Sequence, residues 1–385
     1  MTSTPLPFMF GPLKSLIKRA IFGFESVIRR KPALDAGYQE LKTQGKRAWV
    51  MRYFLYDIGN TYRAMFWPKH SQAYRTLAAS LLFQYHKLEK GLVMPGARRL
   101  FGIEPALAVI EHLERWHRAG HPVNDPVYLG ALEALYAYRD RLIESSLDQN
   151  GSVLPRVQSF LQTHGTRTPE LATPQPLPAA PDLARSYADL HVLALRRRSV
   201  RSFKPDPVPD EVLRNAAAVA QLAPSVCNRQ TCQVVAISEP ELKRKALAYQ
   251  NGNRGFGHLA PLVLLITADE SDFFDASERH QPYMDGGLFT MGFILALESQ
   301  GVSSCCLNWC ATPRNDKTVH RVLGIPPHVR IVTMMVVGYA ATDCVVPRSP
   351  RRAGTSVLRY LQNSPDIQAA MPPEPRDESA PLVRP

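Results

Sequence analysis

The chain reads R-R-S-V-R-S-F at residues 197–203, and A-P-S-V-C-N-R-Q follows at residues 223–230. The first stretch closes a helix-like run and supplies three guanidinium groups, which bind phosphate through paired hydrogen bonds and keep their charge at any working pH. In the second stretch, a Pro-Ser turn presents backbone N–H groups beside the amide side chains of Asn228 and Gln230. Together the two stretches favour a site for a phosphate joined to a flat heteroaromatic ring.

Each stretch also has a simpler explanation. Cations near the end of a helix stabilise the helix dipole, and this explains the arginines equally well. A Pro-Ser turn that leads from a helix into a strand is common in proteins without any ligand.

A third stretch adds further cations near the end of the predicted sheet. Gly338-Tyr339-Ala340 follows the last predicted strand, and Arg348, Arg351 and Arg352 come soon after it. Ligands in layered α/β folds often bind where strands end. A basic tail on a surface loop is the alternative.

In order and spacing, these stretches resemble the FMN-dependent nitroreductase family over about Leu190 to Leu358, which is under half of the chain. The resemblance implies an α+β fold, with a central mixed sheet flanked by helices and an all-α domain before it. The family's aromatic residue after the turn is replaced here by Thr231-Cys232, and Trp309 stands where a smaller residue is common. The shape of the substrate pocket is therefore expected to differ.

The resemblance also implies which residues bind the cofactor. The expected FMN-binding residues are Arg197, Arg198, Ser199 and Arg201 at the phosphate, ribityl chain and ring N1 edge; Pro224, Ser225, Val226 and Asn228 in a turn contributed across a dimer; Asn253 at the pyrimidine ring; Leu307 and Asn308 by their backbone near N5; and Arg348 and Arg351 at the phosphate. Arg201 is the cation expected to stabilise reduced FMN. No catalytic side chain and no metal are expected, because the chemistry takes place on the flavin.

The reaction implied is a ping-pong one, in which NADH or NADPH reduces FMN and a conjugated or nitro-type acceptor then enters the same pocket. One alternative is an FMN-dependent dehydrogenase or oxidase that acts on a specific metabolite. Another is a vestigial flavin-binding interaction module in a bacterial envelope-polysaccharide system. The segment Tyr85–Leu92 motivates the last alternative, since it resembles helical extensions ahead of nitroreductase domains in polysaccharide-associated proteins.

Composition and periodicity divide the chain into five parts. These are a basic segment at 1–25, a helical domain at 26–150, a Pro-rich linker at 151–182 with little regular structure, the nitroreductase-like domain at 183–362 and a disordered tail at 363–385. Helical spacing of apolar residues predicts helices at 47–66, 71–91, 104–119 and 127–143. Short β-branched or apolar runs predict strands at 233–238, 262–267, 303–307 and 331–337.

The helix predicted at 285–300 is apolar nearly all round, so we expect it to be buried or to form a homodimer interface. No run of eighteen or more apolar residues appears, so no membrane span is expected, and a cytoplasmic location is expected. The net charge of +12 favours anionic partners. We expect the basic N-terminus to make a weak contact with a membrane surface. We do not expect the protein to bind a specific nucleic acid. The six cysteines lack metal-site spacing, and Cys305 and Cys306 are expected to be buried free thiols.

Overall fold

The computed structural model describes residues 24, 27–28, 31–65, 71–95, 99–358 and 360. Apart from Phe24, the predicted basic segment and disordered tail lie outside these residues. The helices of the first half are α1 (Pro32–Ala64), α2 (Tyr74–Val93), α3 (Ile103–Arg118), α4 (Pro126–Glu144) and α5 (Leu154–His164). The four predicted helices are therefore present, and the first of them is the second half of a longer α1.

Helices α2 to α5 share one apolar core. Leu77, Leu81 and Leu88 recur on one face of α2 and are fully buried. Trp116 of α3 and Tyr138 of α4 are the largest side chains buried with them. Because residues three and four apart lie on the same side of a helix, this spacing is what allows four helices to bury one face each.

The range 151–182 differs from the prediction, because residues 154–164 of the supposed linker form α5. The Asp148 carboxylate accepts hydrogen bonds from the backbone N–H groups of Ser152, Val153 and Leu154, at 2.7 to 2.8 Å, and so caps the helix start. Val157 and Phe160 then join the core of the other helices. Pro155 suits its place in the first turn of this helix, where no N–H group is needed.

The second half contains the sheet and the helices on its two faces. Its elements are α6 (Leu183–Arg196), α7 (Asp210–Gln221), β1 (Cys232–Ile237), α8 (Pro240–Leu247), β2 (Leu262–Asp269), α9 (Gln281–Ser299), β3 (Ser303–Asn308), α10 (Pro313–Leu323) and β4 (Val329–Gly338). All four predicted strands are present. The strand order is β1-β2-β4-β3, and every pair of these strands is antiparallel. The one parallel contact among the described residues is a bridge between Ser199 and Ser304.

Alternation along the strands gives the sheet two apolar faces. Val263 and Leu265 of β2 pack on the side of α8 and α10, whereas Leu264 and Ile266 pack on the side of α7 and α9. This layering confirms the α+β fold class. In the edge strand β3, Cys305 is buried as expected, but Cys306 is exposed because successive residues point to opposite faces.

The end of β4 is closely packed and requires a glycine. Phe203 forms an antiparallel bridge with Ala340, just beyond Gly338. A Cβ atom on Gly338 would lie 2.6 Å from Cδ of Pro261 and 3.1 Å from the ring of Phe203. The glycine of the V-G-Y-A stretch therefore allows a close approach of the chain that follows the arginine stretch.

Residues up to Val345 belong to one compact unit, and those from Val346 onward belong to a second. Arg348 and Arg351 lie in the second unit. No helix among the described residues has both the length and the apolar character that a membrane span requires.

Candidate functional site

The arginine stretch runs along the outer edge of the sheet. Arg197 ends α6, and the next residues leave the helix to meet β3. Ser199 bridges Ser304, and the Val200 N–H donates to the Ser304 carbonyl at 3.1 Å. Val200 is buried in the core behind the strand, and its neighbours in the chain carry the charges. The local fold therefore holds the arginines beside β3.

The guanidinium groups of this stretch have hydrogen-bond donors that no described side chain uses. Arg197 and Arg198 are partly buried, yet among the described residues neither has an ion pair or a side-chain hydrogen bond. Their neighbour Arg196 is different, since its Nη1 lies 3.0 Å from Oε1 of the buried Glu298. A partly buried cation without a protein partner is suited to an anionic ligand.

Arg201 lies over an aromatic ring on the same edge. Its Nη1 donates to the Ser199 carbonyl at 3.1 Å, and its guanidinium carbon is 5.6 Å from the ring centroid of Phe256. Burial raises the pKa of the nearby Cys305 thiol, while the charge of Arg201 and the Ser199 hydroxyl act in the opposite direction. These neighbours place the charge of Arg201 at the β3 edge.

A loop after α8 reaches the end of β3 and contains Asn253. The buried Gln250 donates from Nε2 to the Asn308 carbonyl at 3.0 Å. Asn253 donates from Nδ2 to the carbonyls of Leu247 and Gln250, at 2.8 and 2.6 Å. The amide nitrogen of Asn253 thus closes its own loop, and Gln250 makes the contact with the strand end.

The end of β3 is linked to helix α1. Leu307 is buried and Asn308 is exposed. The next residue, Trp309, donates from Nε1 to Oδ1 of Asp316 at 2.7 Å, and the Tyr56 hydroxyl donates to Oδ2 of the same carboxylate at 2.7 Å. Burial and the Asp316 hydrogen bond raise the pKa of Tyr56 to about 12, so the hydroxyl stays a donor. The first-half helices therefore support the strand end.

The turn at 224–230 is held from the start of α9. The Val226 N–H donates to Oδ2 of the buried Asp285 at 3.2 Å, and the Gln230 N–H donates to the Ser225 hydroxyl at 3.1 Å. Cys227, Asn228 and Gln230 adopt φ values of 51°, 52° and 54°, in the left-handed region that non-glycine residues seldom enter. This backbone leaves Pro224 and Asn228 exposed.

Arg229 lies inside the same turn and is buried. Its Nη1 lies 2.9 Å from Oε1 of Glu278, which gives an ion pair. The guanidinium carbon is 4.9 Å from the ring centroid of Phe83, 5.3 Å from Phe273 and 4.5 Å from Phe274. Because Phe83 belongs to α2, the first-half helices also support the turn.

The turn and the end of β3 occupy opposite edges of one end of the sheet, whereas the arginine stretch meets β3 near its start, at Ser304, which pairs with Val337 toward the other end of β4. Cys232, which follows the turn, pairs with Ala268, and Ala268 pairs with Arg330. Asn308 pairs with Thr333, three residues along the same strand. Two strands separate β1 from β3, so these strands lie about 14 Å apart, and the turn and the arginine stretch are separated further by their offset along β4. One chain therefore presents two partial sites.

The residues that complete these partial sites carry no recognisable sequence signal: Gln250, Phe256, Asp285, Asp316 and Phe83. Arg229 lies within the quoted turn, but its burial depends on Phe83, which is distant in the chain. In the second unit, Arg351 donates from Nη1 to the Ser349 carbonyl at 2.8 Å. The cofactor contacts of Arg348 and Arg351 remain predictions.

The family model described as "Nitroreductase family" matches residues 194–251 and 241–339. The chain is 27% identical over 188 residues to NADH dehydrogenase of Thermus thermophilus, covering 40% of this chain and 88% of that protein. It is 25% identical to iodotyrosine deiodinase of Haliscomenobacter hydrossis, covering 46% of this chain and 90% of that protein.

A third relative is more similar in sequence. The chain is 40% identical over 162 residues to 5,6-dimethylbenzimidazole synthase of Rhodobacter capsulatus, covering 37% of this chain and 79% of that protein. Among solved structures, a nitroreductase family protein from Streptococcus pneumoniae TIGR4 is 20% identical, with a TM-score of 0.39 and coverage of 44% of this chain and 99% of that chain. With the arginines, the turn and the strand end in the positions described, the sequence matches establish that this chain belongs to the nitroreductase family and is a flavin oxidoreductase.

Proposed function

We propose that this protein is an FMN-dependent oxidoreductase that takes electrons from NAD(P)H and passes them to a conjugated or nitro-type acceptor. The observation that carries the proposal is a pair of partly buried guanidinium groups, Arg197 and Arg198, which lie beside the start of β3 and have no ion pair or side-chain hydrogen bond among the described residues. They fit a phosphate dianion in charge and in hydrogen-bonding geometry. When bound, FMN supplies hydride acceptance and electron transfer, which no side chain of this site offers.

The protein's own part is to bind and orient. In this proposal Arg197, Arg198 and Ser199 hold the phosphate and ribityl chain, and Arg201 places a positive charge near ring N1. The backbone of Leu307 and Asn308 lies along the ring edge. That backbone is fixed because Gln250 and Asp316 hold Asn308 and Trp309 from two sides.

A homodimer would complete the site. The turn at 224–230 of one chain would supply Pro224, Ser225, Val226 and Asn228 to the arginine edge of its partner. The exposed apolar residues on α9 support this arrangement, since Met284, Leu288 and Met291 are 60%, 48% and 46% exposed. Helix α6 adds to this surface, because none of its residues is buried. Such a surface is larger than a monomer ordinarily leaves in water.

The proposal also covers the location of the protein, its domain boundaries and its nucleic-acid binding. A reductase that uses NAD(P)H works where that nucleotide is present, so we infer a cytoplasmic location. We also retain a helical domain from residue 26, extended to include α5, and a flavin domain at 183–362. No specific nucleic-acid partner is proposed.

A second candidate function is the oxidation or dehydrogenation of one specific metabolite. Two observations favour it. Trp309 donates a hydrogen bond to Asp316, and Tyr56 donates to the same carboxylate. Because the indole ring is fixed in this way, it limits the size and shape of a molecule that fits beside the end of β3. The relative with 40% identity is named as a biosynthetic enzyme, 5,6-dimethylbenzimidazole synthase.

The experiment that tests the proposal is reconstitution with FMN followed by anaerobic addition of NADH or NADPH. The protein is expected to bind one FMN per chain and to show loss of the oxidised flavin absorbance on reduction. A vestigial module would retain flavin without reduction by either nucleotide. A protein that takes up no FMN would contradict the proposal outright. A specific-metabolite enzyme would reduce generic quinones and nitroaromatics poorly after the flavin has been reduced.

A further inference from the structure

Helix α1 has a wide apolar face that stays mostly exposed among the residues that the structure describes. Met51, Phe54, Leu55 and Ile58 are 62%, 56%, 63% and 60% exposed. At 3.6 residues per turn, these four side chains fall within an arc of about 100°. The opposite side of the helix is the one that docks, because Asn60 and Ala64 are buried there and Tyr56 bonds Asp316. The exposed apolar arc is therefore a separate surface, which we call the α1 outer face.

The surroundings of the α1 outer face are basic. Residues 41–64 contain five cations, Lys42, Lys46, Arg47, Arg52 and Arg63, and one carboxylate, Asp57. Arg47 falls within the apolar arc, and Arg52 lies about 60° beyond its edge, with its guanidinium carbon 5.2 Å from the Trp49 ring centroid. Residues 1–31, which precede the helix, add six cations and a single acidic residue in the sequence.

The charges on this face indicate whether a second copy of the chain or a lipid surface binds it. Two copies packed through residues 41–64 would bring the same cations together with no carboxylate in the arc of that segment, and like charges at close range repel. An anionic lipid surface offers what the face lacks, because apolar and aromatic side chains enter the headgroup boundary while arginines meet phosphates. The helix is not apolar enough to span a membrane, but an interfacial helix does not need to be.

We propose that the α1 outer face binds the surface of a membrane that contains anionic lipid. The enzyme would then lie against the bilayer through α1 while its flavin domain stays in water. This proposal is independent of the identity of the acceptor. It also extends beyond the basic N-terminal segment, since the contact surface is a described helix with a defined apolar arc.

The test is co-sedimentation of the full chain with vesicles of phosphatidylcholine alone or mixed with phosphatidylglycerol. The wild type is expected to sediment with the mixed vesicles, weakly at high salt and not with phosphatidylcholine alone. A Leu55→Glu/Ile58→Glu variant and an Arg47→Glu/Arg52→Glu variant should each lose about tenfold or more in partition coefficient. Leu177→Glu is the matched control, because Leu177 is 93% exposed in the Pro-rich segment, and its partition should not change.

Flavin content and solution mass are measured on the same samples. Unchanged flavin content in the variants would show that loss of vesicle binding does not arise from unfolding or from the flavin site. No sedimentation of the wild type with anionic vesicles would overturn the proposal, and so would wild-type binding by both α1 variants. A smaller solution mass for Leu55→Glu/Ile58→Glu, without vesicles, would also overturn it and would assign the face to a second copy.

Discussion

The two stretches that the sequence makes most prominent both contain arginines, and the structure gives these arginines different surroundings. Arg197 and Arg198 stand at the β3 edge without a carboxylate partner among the described residues. Arg229, at the β1 edge, is buried between Phe83, Phe273 and Phe274 and paired with Glu278. A ligand can reach the first two because they are partly exposed, whereas Arg229 is fully buried and stabilises the turn that carries Asn228 through its ion pair and its contacts with the three rings. Burial and the ion pair with Glu278, rather than residue type, distinguish Arg229 from the arginines that we propose bind a ligand.

The largest expected effect concerns the stability of the β1 edge. Arg229→Met removes the buried cation and leaves Glu278 unpaired, which should lower the free energy of unfolding by about 3 kcal/mol. The matched variant Arg197→Met removes a cation that has no protein partner, so its cost should stay below about 1 kcal/mol. Urea unfolding of the flavin-free protein measures both. Equal losses of unfolding free energy in the two variants would contradict the difference that we describe between the two edges.

The second expected effect concerns cofactor affinity at the β3 edge. Arg197→Ala should raise the FMN dissociation constant about tenfold or more, because a charge-assisted phosphate bond is worth roughly 1.5–3 kcal/mol. Arg185→Ala, on the exposed surface of the same helix, should leave the constant unchanged. Fluorescence titration with FMN measures this difference. If Arg197→Ala binds FMN with wild-type affinity, Arg197 does not bind the phosphate.

The third expected effect separates Arg201 from Arg197 within one edge. Arg201→Met should lower the flavin reduction potential, by a free energy of roughly 1–3 kcal/mol, because anionic reduced FMN loses its nearest cation. Oxidised FMN should bind better to this variant than to Arg197→Ala, since the phosphate contact remains. Spectroelectrochemical titration of both variants tests this. An unshifted potential in Arg201→Met would leave Arg201 without a role in tuning the flavin.

The smallest expected effect concerns the pH dependence of the contact between α2 and the β1 edge. Asp272 is 3.0 Å from Nη2 of Arg75, and burial together with the charge of Asp269 raises its pKa to about 7, against the effect of Arg75. Because the folded state binds this proton more tightly than the unfolded state, its stabilising contribution is complete below about pH 4 and is lost as the pH rises through 7. Asp272→Asn cannot titrate and should flatten this decline. Thermal unfolding at pH 5 and pH 8 is the measurement, and parallel profiles would contradict the prediction.

Much of the fold could be predicted because its helices and strands depend on the local spacing of apolar residues. The four strands and the main helices follow from apolar spacing within short windows. Helix α5 was missed, since its start depends on Asp148 capping the backbone N–H groups of residues 152–154 and its prolines indicate a linker. The sequence pattern identified the arginines and the turn, but not what holds them. Gln250 and Phe83 act through contacts between distant parts of the chain, which no spacing encodes.

The central claim is that one flavin site takes its arginine edge from one chain and its turn from another. The direct measurement uses a mixed dimer of Arg197→Ala and Asn228→Gly chains, purified through two different tags. Glycine is chosen because Asn228 has a φ of 52°, which glycine adopts without strain. Each homodimer should bind FMN weakly at both sites. The mixed dimer should contain one site with both wild-type parts, and so bind one FMN per dimer at wild-type affinity. Weak binding at every site of the mixed dimer would contradict the claim and place both parts of the site in a single chain.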